Sequence, residues 1–483
     1  MKKEFLLVFF LFWAVQLFAQ NQPRFSTAGF YELPNTGREV YSMNLAWRFI
    51  KGDALGTPYA VDFDDSDWEV VSVPHGLEYL PLEASGCANY QGVAWYRKRF
   101  TPDERLKGKQ LFVHFEAIMG KSEVYVNGKL QKEHYGGYLP VIVDVTDILK
   151  WGEENVIAVK ADNSDDPLYP VGKAQNMLDF TYFGGIYRDC WLIAHNDVFV
   201  TNANYEDEVA GGGLFVSYAN VSEKSADINL KAHIRNNSMK GESVTVSFEL
   251  KDKQGGTVEQ ASKKISVGKG KASYAISSMR INSPRLWSPD DPYLYDLDVM
   301  VKDRQGKVID GYRQRVGIRS IEFKQTDGLW INGKPYEGKL MGTNRHQDFA
   351  VLGNALPNSM QWRDAKKLRD AGLKVIRTHY VIDPAFMDAC DELGLFALVE
   401  VPGWQFWNKE PVFGERVYSD IRNMIRIHRN HASLFFWEPI LNETHYPEEF
   451  AKKALEICEE EYPYPYGSMT KEYMQWNMIE DDP

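Results

Sequence analysis

Cysteine is scarce in this chain: four residues in 483, at Cys87, Cys190, Cys390 and Cys458. Their wide spacing gives no CxxC pair and no zinc-type ligand cluster, and it excludes a disulfide-stapled miniature scaffold. An oxidising compartment would permit pairing, but buried thiols are the expectation for scattered cysteines in a large chain. Excess positive charge is lacking too. The formal net charge of −12 argues against nucleic acid or an anionic membrane surface as a partner, since both attract basic patches. Beyond the N-terminal segment, no apolar run approaches the ~20 residues that span a bilayer.

What is present begins with that segment. Lys2 and Lys3, diluted by Glu4, precede an apolar run from Phe5 to Phe18, and Ala19 offers a cleavage site before Gln20. Residues 1–19 therefore read as a signal peptide, and the protein is expected to be exported to the periplasm or beyond. The length predicts roughly three domains at about 150 residues each. Aromatic residues make up 13% of the chain. They suit sugar-stacking platforms, but the cores of twisted sheets account for most of them.

The β-type text runs first. Over 24–195, strand runs such as Leu111–Phe115 alternate with turns, and Glu123–Val126 leads into Asn127-Gly128, a strong type I′ hairpin signal. A jelly-roll is expected. Over 196–322, Val244–Leu250 alternates apolar and polar with period two, as a half-buried strand should. A smaller immunoglobulin-like sandwich fits.

From 323 the period changes. Helices are predicted over Met360–Ala371, from Pro384 to Leu393 with Asp383 as cap, over Val417–Arg429 and over Pro447–Glu461. Strands are predicted at Lys339–Met341, Val375–Arg377, Leu395–Val399 and Ser433–Trp437. Alternating strands and helices imply a parallel sheet. Four of each make half of an eight-unit barrel. The most informative stretch is Leu434–Glu443: an apolar run that ends in Trp437 and delivers Asn442-Glu443, as a buried barrel strand presenting a carboxylate at its C-terminal mouth would do.

Five motifs in order resemble glycoside hydrolase family two, which includes β-galactosidases, β-glucuronidases and β-mannosidases. They are Phe183-Gly184-Gly185-Ile186-Tyr187-Arg188-Asp189, the run Leu286–Tyr295, Asn332-Gly333-Lys334-Pro335, Gly342-Thr343-Asn344-Arg345-His346, and Asn442-Glu443. The resemblance implies a jelly-roll sugar-binding domain (24–195), an immunoglobulin-like sandwich (196–322) and part of a TIM-barrel catalytic domain (323–483). The implied activity is retaining hydrolysis of β-glycosidic bonds in an oligosaccharide or polysaccharide, most simply of β-galactosidase type. Glu443 matches the acid/base and Asn442 the residue that binds the sugar 2-hydroxyl. Arg345, His346 and His379 match positions lining the sugar subsite. Glu400 matches a sugar or metal contact, with an ion pair to Arg345 or Arg377 as the alternative. Asn89 and Asp179 match first-domain residues that reach the sugar. Trp404 and Trp407 read either as an aromatic wall or as core. The resemblance admits Mg²⁺ or Na⁺ and a homo-oligomer, but the sequence shows no cation-binding cluster, and no cofactor is expected from the residues themselves.

Two departures point to a divergent subgroup. Leu441 stands where the family usually has Gly, and Arg377-Thr378-His379-Tyr380 is one residue shorter than the common form. The largest departure follows Glu443. The family's nucleophile is a Glu on a later strand, and the acids Glu448, Glu449, Glu456, Glu459, Glu460 and Glu461 read instead as the solvated face of a helix. The chain is thus expected to be impaired alone, and a non-catalytic carbohydrate-binding protein or an inactive gene fragment is the alternative. Half a barrel would also leave an exposed sheet edge. Limited proteolysis should therefore degrade 323–483 first and leave a fragment of about 24–322; uniform resistance up to residue 466 would contradict this.

Overall fold

The computed structural model describes residues 23–79, 89–178, 180–403, 405–440, 444 and 446–463. The first twenty-two residues, Asp179, Trp404, Asn442, Glu443 and the last twenty residues lie outside that set. Three bodies follow one another, each with its own buried apolar cluster.

The first is two antiparallel sheets face to face. One runs in the order Glu69–Val71, Trp47–Lys51, Val93–Phe100, Asn155–Asp162, Lys121–Val126, Lys129–Tyr135; the other runs Glu39–Ser42, Cys190–His195, Gln110–Phe115, Val141–Asp144. Parity decides what is buried. Leu111, Val113 and Phe115 enter the core between the sheets, so Phe112 and His114 are left on the outer face. The Asn127-Gly128 turn forms as its chemistry demands, with φ of 49° and 81°.

The second body is again two antiparallel sheets. In one, Ser225–Asn236 pairs with Val198–Val200, Leu214–Ala219 and Lys271–Asn282; the other runs Thr257–Val267, Glu242–Lys251, Tyr295–Lys302, Val308–Val316. Glu242–Lys251 alternates half-buried and buried residues along its length. Its inward positions Val244, Val246, Phe248 and Leu250 are at most 3% exposed.

The third body is a parallel four-stranded sheet with four helices: β1 (Gly342–Arg345), α1 (Asn358–Asp370), β2 (Val375–Thr378), α2 (Pro384–Leu393), β3 (Phe396–Glu400), α3 (Pro411–His428), β4 (Leu434–Glu438) and α4 (Glu448–Glu461). The strand order is β1-β2-β3-β4, parallel throughout. Asp383 caps α2, its side chain accepting from the Ala385 amide at 2.9 Å. Gly394 closes α2 in the left-handed region (φ 73°), and a Cβ there would collide with the Pro289 carbonyl.

Three expectations need correcting here. The first strand is Gly342–Arg345, not 339–341, because it is recruited by pairing with β2 and its first three residues are exposed, so no apolar pattern marks it. Helix α3 begins at Pro411, six residues earlier than expected, since proline is well suited to the first helical position. Glu461 is not on a solvated face. It is fully buried and accepts from Arg426 Nη2 at 2.6 Å and from the Ala210 amide at 3.2 Å. The exposed sheet edge is β1, while β4 is buried along its whole length.

The bodies are tied together by polar contacts that explain three of the sequence motifs. Arg188 donates to the Val381 carbonyl at 2.8 Å and lies 3.5 Å from Asp383. Trp287, fully buried, donates to the Asp391 carbonyl at 2.9 Å. Asn332 donates to the Trp287 carbonyl at 3.0 Å. Helix α2 receives most of these contacts, and its first eight residues are buried. Asp388 accepts from the amide and hydroxyl of Ser26 (2.7 and 2.8 Å) and from the Tyr31 hydroxyl (2.9 Å). Asp391 accepts from His431 Nδ1 and the Ser433 amide, both at 2.7 Å. Cys190, Cys390 and Cys458 are buried free thiols.

Candidate active site

Parallel strands put their C-terminal ends on one side, and the residues there define the mouth of the half-barrel. Glu400 ends β3 and Glu438 ends β4, and the register sets them directly opposite each other. Two like charges side by side in a buried position repel and cannot both stay ionised without a cation. Arg377 of β2 supplies it. Its Nε lies 2.5 Å from Glu400 Oε1, and its Nη2 lies 2.8 Å from Glu438 Oε1. Glu400 is therefore the ion-pair partner of Arg377 foreseen as the alternative to a sugar contact.

Beside this bridge stands a stack of rings. His379, just past β2, lies flat on His346, just past β1, with centroids 4.8 Å apart and planes at 15°. His346 packs in turn on Phe180 of the first body at 4.7 Å. His379 Nδ1 is 3.7 Å from Glu400 Oε2, so the stack and the ion bridge form one group. Tyr380 continues it outward. It stacks on Tyr138 at 4.3 Å, and its hydroxyl accepts from the Gln347 amide at 2.8 Å.

The remaining expected residues are placed differently. Arg345 does not join the group: its guanidinium lies over Phe386 at 3.9 Å, donates to Gln361 at 2.8 Å and pairs with Asp364 at 2.5 Å. It fastens α1 and α2 to β1. Asn89 accepts from the Gln175 side-chain amide and donates to the Tyr182 carbonyl at 3.3 Å, two residues from Phe180. Trp407 packs against Phe413, Tyr446 and Phe450, which is core packing. Asp179, Trp404, Asn442 and Glu443 lie outside the described residues. Among the described residues no three His, Cys, Asp or Glu side chains are grouped to hold a metal. No helix among them is long and apolar enough to cross a membrane.

Besides Glu438, two further residues at the mouth escaped sequence reasoning. Thr444 accepts from the Gln405 amide and donates to the Gly403 carbonyl, both at 2.9 Å. It clips the loop that follows β4 to the loop that follows β3, one residue past Glu443; only its position beside the Asn-Glu pair could have drawn notice. Asp348, two residues past His346, is the second. Burial pushes its carboxyl up to about 7, against the opposing pull of Arg345 and of a hydrogen bond from Tyr380.

A folded pKa above the unfolded value of ~3.9 means that the native state holds the proton longer, so stability falls as pH rises from about 4 through 7. Asp348→Asn removes that cost. Compared with the parent, it should gain up to about 4 kcal/mol at pH 8 and little at pH 4, at ~1.4 kcal/mol per pH unit. Urea midpoints at the two pH values measure this, and an unchanged pH slope in the variant would refute it.

Known proteins share this order of domains. Three domain models of one family match in order: the sugar binding domain of glycosyl hydrolases family 2 over residues 61–196, the glycosyl hydrolases family 2 domain over 214–319, and the family's TIM barrel domain over 321–458. A β-galactosidase of Thermoanaerobacter pseudethanolicus is 34% identical over 87% of this chain and 54% of its own length. A β-glucuronidase of Formosa agariphila is 30% identical over 86% of this chain and 44% of its own. Among solved structures, Bacteroides uniformis β-glucuronidase 2, covalently bound to cyclophellitol-6-carboxylate aziridine, superposes with a TM-score of 0.78 at 29% identity, covering 88% of this chain and 52% of that one. The chain spans about half the length of the curated relatives it matches.

Proposed function

Because the chain belongs to glycosyl hydrolase family 2, we propose that it carries the acid/base part of a retaining β-glycoside hydrolase of β-galactosidase type. Glu443 protonates the leaving oxygen and then activates water. Asn442 binds the sugar 2-hydroxyl. His346 and His379 form the wall against which the sugar lies, and Arg377, Glu400 and Glu438 position it. Retaining hydrolysis needs a second carboxylate roughly 5–5.5 Å from the first, flanking an oxocarbenium-like transition state. That neighbour also raises the pKa of the acid towards neutrality. The protein works after export, in the periplasm or outside the cell.

The observation that carries the reading is the stacked His346–His379 pair beside the Arg377 bridge, at the strand ends from which Glu443 follows. The same bridge favours galactose over glucuronate. A glucuronide brings a carboxylate and needs a cation to receive it. At this mouth one guanidinium is already shared by two carboxylates, leaving a formal charge of −1, and Arg345 is committed to Asp364. A neutral sugar meets no such penalty.

Calorimetric binding of methyl β-galactoside and methyl β-glucuronide to the purified chain tests this. The galactoside should bind at least tenfold more tightly, a difference of about 1.4 kcal/mol. Tighter binding of the glucuronide would overturn the assignment.

A further inference from the structure

A cavity of about 90 Å³ lies where the three bodies meet, and no residue of the barrel mouth lines it. Its floor is the outer face of the four-stranded sheet of the first body, which parity assigned to Phe112 and His114, together with His195 of the adjacent strand. The second body contributes Gln314, and helix α3 with the turn after it contributes Arg426 and Asn430. Tyr205, 40% exposed, stands at the rim, its ring edge-on to Phe112 at 5.0 Å.

Three properties define what fits. The first is charge. Every charged group in the wall is neutralised within the protein. Arg38 is held by Asp310 at 2.8 Å, Arg426 by Glu461 at 2.6 Å, and Glu206 by Arg235 at 2.8 Å. An ionic ligand would find no counter-charge. The second is unspent hydrogen-bonding capacity. His114 is 3% exposed, and its Nδ1 has no hydrogen-bond partner among the described residues. A buried polar atom left so costs about 1–3 kcal/mol, which a hydroxyl group entering the cavity would recover. The third is shape and surface. The wall holds both aromatic rings, such as Phe112, Phe199 and Tyr312, and amides, such as Gln314 and Asn430, and the space equals roughly six to nine water positions at 10–15 Å³ each.

We infer that this junction cavity is a second, non-catalytic carbohydrate site that takes one neutral pyranose, with hydroxyl groups bonded to His114 and Gln314 and a ring face laid on the aromatic wall. The inference stands apart from the assignment of Glu443, since the cavity shares no residue with the barrel mouth. Because all three bodies line it, an occupying sugar binds only the docked arrangement and stabilises it by mass action.

The test uses the full chain and D-galactose and D-glucose as probes, with calorimetry and thermal unfolding as readouts. Binding should weaken at least tenfold in His114→Leu and in Tyr205→Ala, the second at a rim position that is 40% exposed. Binding that survives in the His379→Ala variant places it away from the mouth. The inference is overturned if both cavity variants bind as the parent does, if only His379→Ala abolishes binding, or if a sugar-soaked crystal shows only waters in the cavity.

Discussion

Arg377→Met should destabilise the folded chain by about 3–5 kcal/mol, the range for breaking a buried pair by removing one partner. Glu400 is fully buried and the Glu438 side chain is 5% exposed, while the Arg377 side chain is 23% exposed, so water would solvate the two carboxylates poorly in place of the guanidinium. With Arg377 gone, two carboxylates face each other across β3 and β4 at positions that the register forbids them to leave. At least one must take up a proton, and the mouth loses its shape. Urea unfolding at neutral pH gives the magnitude. The triple variant Arg377→Met, Glu400→Gln, Glu438→Gln is the informative control. Removing all the charge together should restore most of the loss, because the cost lies in the uncompensated carboxylates and not in the missing guanidinium itself. A single-variant loss below about 1 kcal/mol would mean that the bridge is held loosely and does not organise the site.

Glu443→Gln should have the largest effect on chemistry. General acid–base catalysis contributes typically 10²–10⁴-fold. The loss should be near the upper end for an alkyl galactoside, whose leaving oxygen must be protonated, and smaller for a nitrophenyl galactoside, whose leaving group departs unaided. The assay compares the chain alone with the chain extended by the C-terminal barrel segment of a related β-galactosidase. The extended protein should turn over and show the graded loss in Glu443→Gln. The chain alone should bind galactoside with at least a thousandfold lower turnover. Full turnover by the chain alone would show that its own carboxylates suffice. An extended Glu443→Gln variant whose kcat/KM, which reports the glycosylation step alone, falls by the same factor on both substrates would remove Glu443 from the proton-transfer role.

Much of the fold was legible because local chemistry and tertiary placement agree. Asp383 before Pro384 announces a capped helix, and the helix is there. Asn127-Gly128 announces a I′ turn, and both φ angles are positive. The runs at Phe396 and Leu434 are apolar because both faces of a parallel strand are covered. The misses share a cause. Strand β1 is polar and exposed, so only its partner defines it. Arg345 lies in a motif that suggested the sugar subsite, yet Asp364, nineteen residues on, claims its guanidinium. Glu461 ends an acidic run, and only the nearness of Arg426 reveals that it is buried. Period and propensity tell which face of an element is apolar. They do not tell which distant side chain will meet it, and the ion pairs that shape this mouth are all of that second kind.

The contact between Ser26 and Asp388 spans 362 residues, and that separation sets a waiting time during synthesis. At about 5–20 residues per second, roughly 20–70 s pass between the appearance of Ser26 and that of its acceptor. Over that interval the leading arm can meet only its earlier partners, Glu116 for Ala28, Asp296 for Arg24 and Arg313 for Tyr31. The contact that seats Ser26 waits until the second helix of the barrel has been made. A substitution that made residues 24–31 stickier would leave the finished contact intact and still lower the yield.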